Sequence, residues 1–325
     1  MDKKRNITLK DIAIRANISV NAVSKALRDS QDISVKTKKL VREIADELGY
    51  IPDSIARNLK SDNSKIIALV YNDFYNPYFA IYCEKVFHYI KEKGYTCSLI
   101  YSDTNLMTMN DIENIMINRY CGVISFVEPT TDVALFFKKR KIPFCLVGIN
   151  SNVECIDCVY TNDIDGAKQV GTYFINSNFN KALYLTNSIS ETSFRRFLGF
   201  SEVINSSNKK FSFIPYQYQK DFIQIAYKKI IAENIDFVFC FSDSLAIELI
   251  TYLKKKKMKN KIKIFGYDNV HEFYPIFKSV DSVRTDTIEI VHFACDLIID
   301  KVTNKININK YYNKVFPVYL NLISD

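Results

Sequence analysis

Apolar residues are spaced in two different ways along this chain, and the change falls near residue 65. From Thr8 to Gly49 they recur every three or four residues, the period of an amphipathic helix. Ile12, Ala13 and Ala16 form one apolar face, and Val23, Ala26 and Leu27 form a second. Val35, Leu40, Val41, Ile44 and Leu48 form a third. The spacing predicts three short helices. Thr8 opens the first, with the Asp11 carboxylate three residues in, near its amino end. Ser19 opens the second after the turn "ANIS", where Asn17 tolerates left-handed backbone. The third runs from about Ser34 to Leu48, and Gly49 stops it. On the second helix, Val20, Asn21, Ser24, Lys25 and Arg28 remain outward.

After Lys65 the apolar residues form continuous runs: "KIIALVY", "TCSLIYS", "GVISFV", "FCLVGI", "KALYLTN", "FSFIP", "DFVFCFS" and "IKIFGY". Amphipathic helical stretches separate them. Strands that are apolar throughout are covered on both faces, so the pattern predicts parallel sheets flanked by helices. Eight such runs exceed one small doubly wound domain, and no repeat of 20–50 residues accounts for them. The fold class is α/β, with a small helical unit in front.

Charge sharpens the reading of that unit. Residues 1–65 hold 14 Lys and Arg against 9 Asp and Glu, more than half of the chain's net charge of +8. Two short helices on a four-residue turn, closed by a third, form a helix-turn-helix, whose second helix enters the major groove of DNA. A basic excess suits a polyanion, although a solvated mini-bundle would show the same apolar spacing. No run of 18 uncharged apolar residues predicts a membrane span, and no secretory signal is visible. Most of the eight cysteines sit in apolar runs, where reduced thiols pack as small hydrophobes, so a reduced, cytoplasmic protein is expected.

The stretch "TLKDIAIRANISVNAVSKALRD…VREIADELGYIPDSIARNLKS" closely resembles the headpiece of the lactose/purine repressor family of bacterial regulators. Asn17 replaces the family's usual turn Gly, Ala22 its Thr, and Lys25 its Arg. Lysine lacks the bidentate fork that reads guanine. The resemblance implies a helix-turn-helix headpiece over 1–52 and a hinge helix over 53–64. A two-lobe body like that of periplasmic sugar-binding proteins follows over 65–325. Its first lobe would take about 65–161 and 286–313, and its second about 162–285 and 314–325. The implied DNA contacts are Thr8, Ser19, Val20, Asn21, Ser24, Lys25 and Arg28 in the major groove. Ala56, Leu59 and Lys60 would meet the minor groove at the centre of a palindromic operator, with Leu59 as an apolar wedge.

The same resemblance points to an effector cleft between the lobes, at the ends of parallel strands. "NDFYNPYF" offers Asp73, Phe74 and Phe79, whose faces and carboxylate suit a sugar, although Phe79 could equally fill core. "SFRRFLGF" assigns Arg196, "CFSDSLA" assigns Ser242 and Asp243, and "FGYDN" assigns Asp268. Asp243 and Asp268 could instead cap helices. In "TNDIDGA" the family's acidic and amide positions look swapped, which leaves Asn162 and Asp163 open, with Asn162 the effector candidate. The effector implied is a sugar or sugar phosphate acting on a homodimeric repressor. A protein co-regulator of sugar uptake or a free sugar-binding protein is the alternative. No metal or cofactor site emerges: "CIDC" at 155–158 is the only C-x-x-C, and His88, His271 and His292 form no ligand set. No activated nucleophile or acid–base pair appears, so no enzyme is expected.

Overall fold

The computed structural model describes residues 7–50, 64–73, 75–116, 119–187, 189–214, 221–258, 262–273 and 280–323. Ala56, Leu59, Lys60 and Phe74 lie outside them, as does the expected hinge. The chain divides into two compact units, Met1–Asn63 and Ser64–Asp325.

In the first unit, α1 is Leu9–Ala16, α2 is Val20–Leu27 and α3 is Val35–Leu48. Local chemistry sets each boundary. The Asp11 carboxylate accepts both the Thr8 backbone N–H at 2.8 Å and its hydroxyl at 2.6 Å. Asn17 ends α1 with φ +52°, and Gly49 ends α3 with φ +66°. The Ser19 hydroxyl accepts the Ala22 N–H at 3.1 Å. Ile12, Ala13, Val23, Ala26, Val41, Ile44 and Ala45 are buried together. Two residues of the expected third face lie outside this core: Val35 is 82% exposed and Leu40 is 43% exposed. Leu40 adjoins Val41 in sequence, so it is turned about 100° away from the buried stripe.

The second unit has two lobes. The first lobe alternates β1 Ile66–Tyr71, α4 Pro77–Glu92, β2 Thr96–Tyr101, β3 Leu106–Met107 and α5 Met109–Met116. It continues through β4 Gly122–Ser125, β5 Glu128–Pro129, α6 Thr131–Arg140, β6 Phe144–Val147 and β7 Asp157–Thr161. The second contains α7 Asp163–Asn176, β8 Lys181–Leu185, α8 Glu191–Asn205, β9 Lys210–Ile214 and α9 Phe222–Glu233. It adds β10 Phe237–Cys240, α10 Asp243–Lys255, β11 Lys263–Phe265 and β12 Ser282–Arg284. Then α11 Thr287–Val302 returns to the first lobe, where Ile290, Val291, Ala294, Cys295 and Ile298 join its core.

Among the described residues, one parallel sheet runs β13-β7-β6-β4-β1-β2, β13 being Asn313–Phe316, and a second runs β11-β10-β8-β9. The inner strands β4, β6 and β10 are buried along their whole length because helices cover both faces, whereas β2, β9 and β13 at the sheet edges are partly exposed. The final crossing falls later than expected. Lys314, Val315 and Phe316 remain in the first sheet against Val159, Tyr160 and Thr161. Only β14, Tyr319–Asn321, joins the second lobe, antiparallel to β12. Pro317 lies between the two strands and has no N–H to continue either ladder.

Candidate functional site

The expected residues group on two surfaces, one in each unit. In the first unit, Val20, Asn21 and Arg28 are exposed on α2, while Ser24 and Lys25 are half-buried. Arg28 folds back along the helix: its Nε donates to the Ser24 carbonyl at 3.1 Å and a terminal nitrogen to the Ser24 hydroxyl at 2.9 Å. The Lys25 ammonium is paired with the Asp32 carboxylate. The hydrogen bonds given above leave the Thr8 and Ser19 side chains at the amino ends of α1 and α2, where free N–H groups favour anions.

The second surface lies where the lobes face each other. The buried Arg196, on α8, holds it together. Its Nε donates to Asp163 at 2.8 Å, one terminal nitrogen to the Phe241 carbonyl at 2.5 Å, and the other to Asp268 at 3.4 Å. The guanidinium also lies 3.4 Å above the centre of the Tyr267 ring. Both carboxylates and the guanidinium are at most 8% exposed. Burial alone would disfavour the charge on Arg196, but Asp163 and then Asp268 hold its pKa above the ordinary arginine value.

Asp268 sits on a strained turn. Its φ is +95°, and Asn269 follows at +53°. Such backbone costs about 1–3 kcal/mol per residue and persists only when its surroundings enforce it. Asp243 does so here. One of its oxygens accepts the Val270 N–H at 2.7 Å and the other the Ser282 hydroxyl at 2.6 Å. Ser282 also accepts the Asn269 N–H at 3.0 Å. Gly266 is required beside it, because a Cβ there would lie 2.0 Å from Asp243 Oδ1. Thus both oxygens of Asp243 serve the turn that aims Asp268 at Arg196.

The other expected residues divide in the same way. Ser242 caps α10, accepting the Leu245 N–H at 3.3 Å. Asn162 caps α7, accepting the Asp165 N–H at 3.3 Å, whereas its neighbour Asp163 points to Arg196. Asp73 accepts the N–H groups of Tyr75 and Asn76 at 2.8 and 3.2 Å and so shapes the turn into α4. Phe79 packs edge-on against Tyr78 and Phe126. Tyr78 of the same stretch reads in the sequence as core packing, and it does pack against Tyr82 and Phe126. Desolvation and then the charge of Asp268 push its hydroxyl above the ordinary tyrosine range, which places this first-lobe group beside the second lobe's ion cluster. The swapped "ND" at 162–163 was the signal that could have found Asp163.

Glu128, Asn150, Asn152 and Glu154 of the first lobe and Glu191 of the second line a separate open pocket of about 660 Å³. The pocket lining is rich in hydrogen-bond acceptors, and in the cluster the buried Arg196 is already matched by two carboxylates.

Burial pushes the Asp268 carboxyl up to about 6, against the pull of Arg196 and with Asp163 pushing the same way. Because the folded pKa is raised, this group's stabilising contribution is fully present below the ordinary carboxylate pKa and is lost as pH rises through about 6. A hydroxyl donor has the opposite preference, since ionised Asp268 is the better acceptor. Affinity for a polyol held at this cluster should therefore fall severalfold between pH 7.5 and 5.5 and become nearly flat in Asp268→Asn. Calorimetric titration at both pH values checks this, and an equally steep fall in the variant would assign the proton elsewhere.

Comparison with known proteins adds family evidence. Residues 8–53 match the model of the bacterial regulatory proteins of the lacI family. A transcriptional repressor PurR of Pasteurella multocida is 24% identical over 279 residues, covering 81% of this chain and 82% of its own. The lac repressor dimer bound to operator and the anti-inducer ONPF aligns with a TM-score of 0.76 at 15% identity, over 97% of this chain and 98% of that one. A regulator from Enterococcus faecium with bound ribose aligns with a TM-score of 0.70 at 17% identity, over 79% of this chain and 97% of that one. At these identities the two structural likenesses show a shared fold.

Proposed function

We propose that this chain, which belongs to the lacI family of bacterial regulatory proteins, is a DNA-binding transcriptional repressor whose operator affinity is set by a small polyol in the cleft of its body. The carrying observation is the Arg196–Asp163–Asp268 cluster where the lobes face each other, in a chain whose first unit is a capped helix-turn-helix. Two copies would present two α2 helices to a palindromic operator. Val20, Asn21, Ser24, Lys25 and Arg28 would meet base edges and phosphates, with the amino ends at Thr8 and Ser19 on the backbone. Ala56, Leu59 and Lys60 would enter the central minor groove.

An effector would act by binding one arrangement of the lobes better than the other, which is the only way a ligand can shift that equilibrium. Asp163, Asp268 and Arg196 supply the directed acceptors and donors that a polyol needs. The charge balance favours an uncharged sugar over a sugar phosphate. Arg196 is already flanked by two carboxylates, and Glu128, Glu154 and Glu191 are among the residues lining the pocket between the lobes. A gel shift on DNA upstream of the protein's own operon, with matched neutral and phosphorylated sugars added, tests this. Neutral sugars should change the shift and phosphates should not. A response to phosphates alone would overturn the effector assignment, and no shift at all would overturn the regulator reading.

A further inference from the structure

An acid, Asp32, stands in the turn after α2 and pairs with a base on that helix. We infer that Asp32 is a specificity-determining residue that withholds Lys25 from the phosphate backbone. This inference rests on the DNA-binding reading above.

The geometry is a closed local unit. Lys25 lies on α2 and Asp32 in the turn leading to α3. The Ser30 N–H donates to the Lys25 carbonyl at 3.1 Å, and the Ser30 hydroxyl donates to Asp32 Oδ1 at 2.5 Å. The other Asp32 oxygen holds the Lys25 ammonium. The carboxylate is therefore fixed from both sides, with its partner on the helix expected to enter the groove. The Lys25 hydrogen bond, and then the one from Ser30, hold the Asp32 carboxyl down at about 2, so it stays ionised at neutral pH.

Both groups remain accessible, at 40% and 52% side-chain exposure, and an exposed pair of this kind is weak enough to exchange. Its effect on DNA depends on what Lys25 meets. A phosphate offers Lys25 one contact but sets a second anion against Asp32. A base edge offers an acceptor for Lys25 without that repulsion, and Asp32 can itself accept from a cytosine amino group. The pair thus weakens binding to any backbone more than binding to the right bases, and specificity is such a difference of affinities. Among the described residues, the first unit's other ion pairs are differently placed: Arg15 pairs with Glu47, Lys38 and Arg42 with Asp29, and Lys39 with Glu43.

A thermodynamic cycle on the full chain tests the inference. The wild type, Lys25→Met, Asp32→Asn and the double variant are titrated onto a random-sequence 20-base-pair duplex by fluorescence anisotropy, between about 50 and 200 mM salt. In the wild-type background Lys25→Met should change the log–log slope little. Asp32→Asn should bind random DNA more tightly, with a slope steeper by about 0.9, one added phosphate contact. The double variant should return to the wild-type slope. Additive effects of the two substitutions would overturn the inference. So would Glu47→Gln steepening the slope as much as Asp32→Asn, since the effect would then be net charge alone. Wild-type binding that is insensitive to salt would instead overturn the DNA-binding reading beneath it.

Discussion

Lys301→Met should lower the stability of the body by about 3–5 kcal/mol, the usual effect of removing one partner from a buried ion pair. Lys301 donates to both oxygens of Asp157, at 2.8 and 2.6 Å, and their side chains are 1% and 0% exposed. Asp157 also accepts the Tyr312 N–H at 2.9 Å, and the ammonium lies 4.9 Å from the Tyr311 ring. The pair therefore ties the end of α11 and the segment before β13 to the start of β7. Burial already pushes the Asp157 carboxyl upward, and Lys301 is the main group opposing it. Without the lysine, the carboxylate must either stay charged in an apolar site or take a proton.

The deficit should therefore be largest at neutral pH and shrink in acid, as the variant's Asp157 protonates. Asp157→Leu in the same chain should recover most of the loss, because a well-packed apolar pair avoids the desolvation cost. Urea unfolding of the three proteins at pH 7.5 and 5 gives the comparison. A Lys301→Met protein within about 1 kcal/mol of wild type would mean that water reaches the pair.

Arg196→Met should abolish the effector response, with effector affinity reduced at least about a hundredfold, and should also destabilise the body by several kcal/mol. Two carboxylates, Asp163 and Asp268, would then share a buried site with no cation between them, and one would have to protonate. Arg196→Lys separates charge from geometry. It keeps the cation but cannot reach Asp163, the Phe241 carbonyl and Asp268 together, so stability should recover more than the response does. Operator binding by the first unit should persist in both variants at temperatures where the body remains folded. Gel shifts with and without effector, beside thermal unfolding, distinguish the outcomes. A normal effector response from Arg196→Met would remove the cluster from the binding site.

The sequence by itself determined what depends on neighbours along the chain. Thr8 with Asp11, Ser19 and Gly49 place the boundaries of α1, α2 and α3, since capping involves groups within a few residues of one another. Asn17 adopts the left-handed turn expected of it. The apolar runs become strands of two parallel sheets, and the inner strands β4, β6 and β10 are buried along their whole length because both faces are covered. The family resemblance of "SFRRFLGF" singled out Arg196, which lies buried against Asp163 and Asp268.

Tertiary structure alone decided which groups meet. Asp163 rather than Asn162 faces Arg196, because the first residue inside α7 and the residue capping it project in different directions. Asp243 and Asp268 have the same local signature, an acid after a strand. Yet Asp243 braces a turn 27 residues away, while Asp268 meets an arginine 72 residues away. Tyr78 reaches that cluster from the other lobe, and Lys301 finds Asp157 across 144 residues. Periodicity records which face of an element is buried, but not what lies opposite it. Here that is set by the chain passing between lobes after β7, β12 and β13, and by the packing that follows.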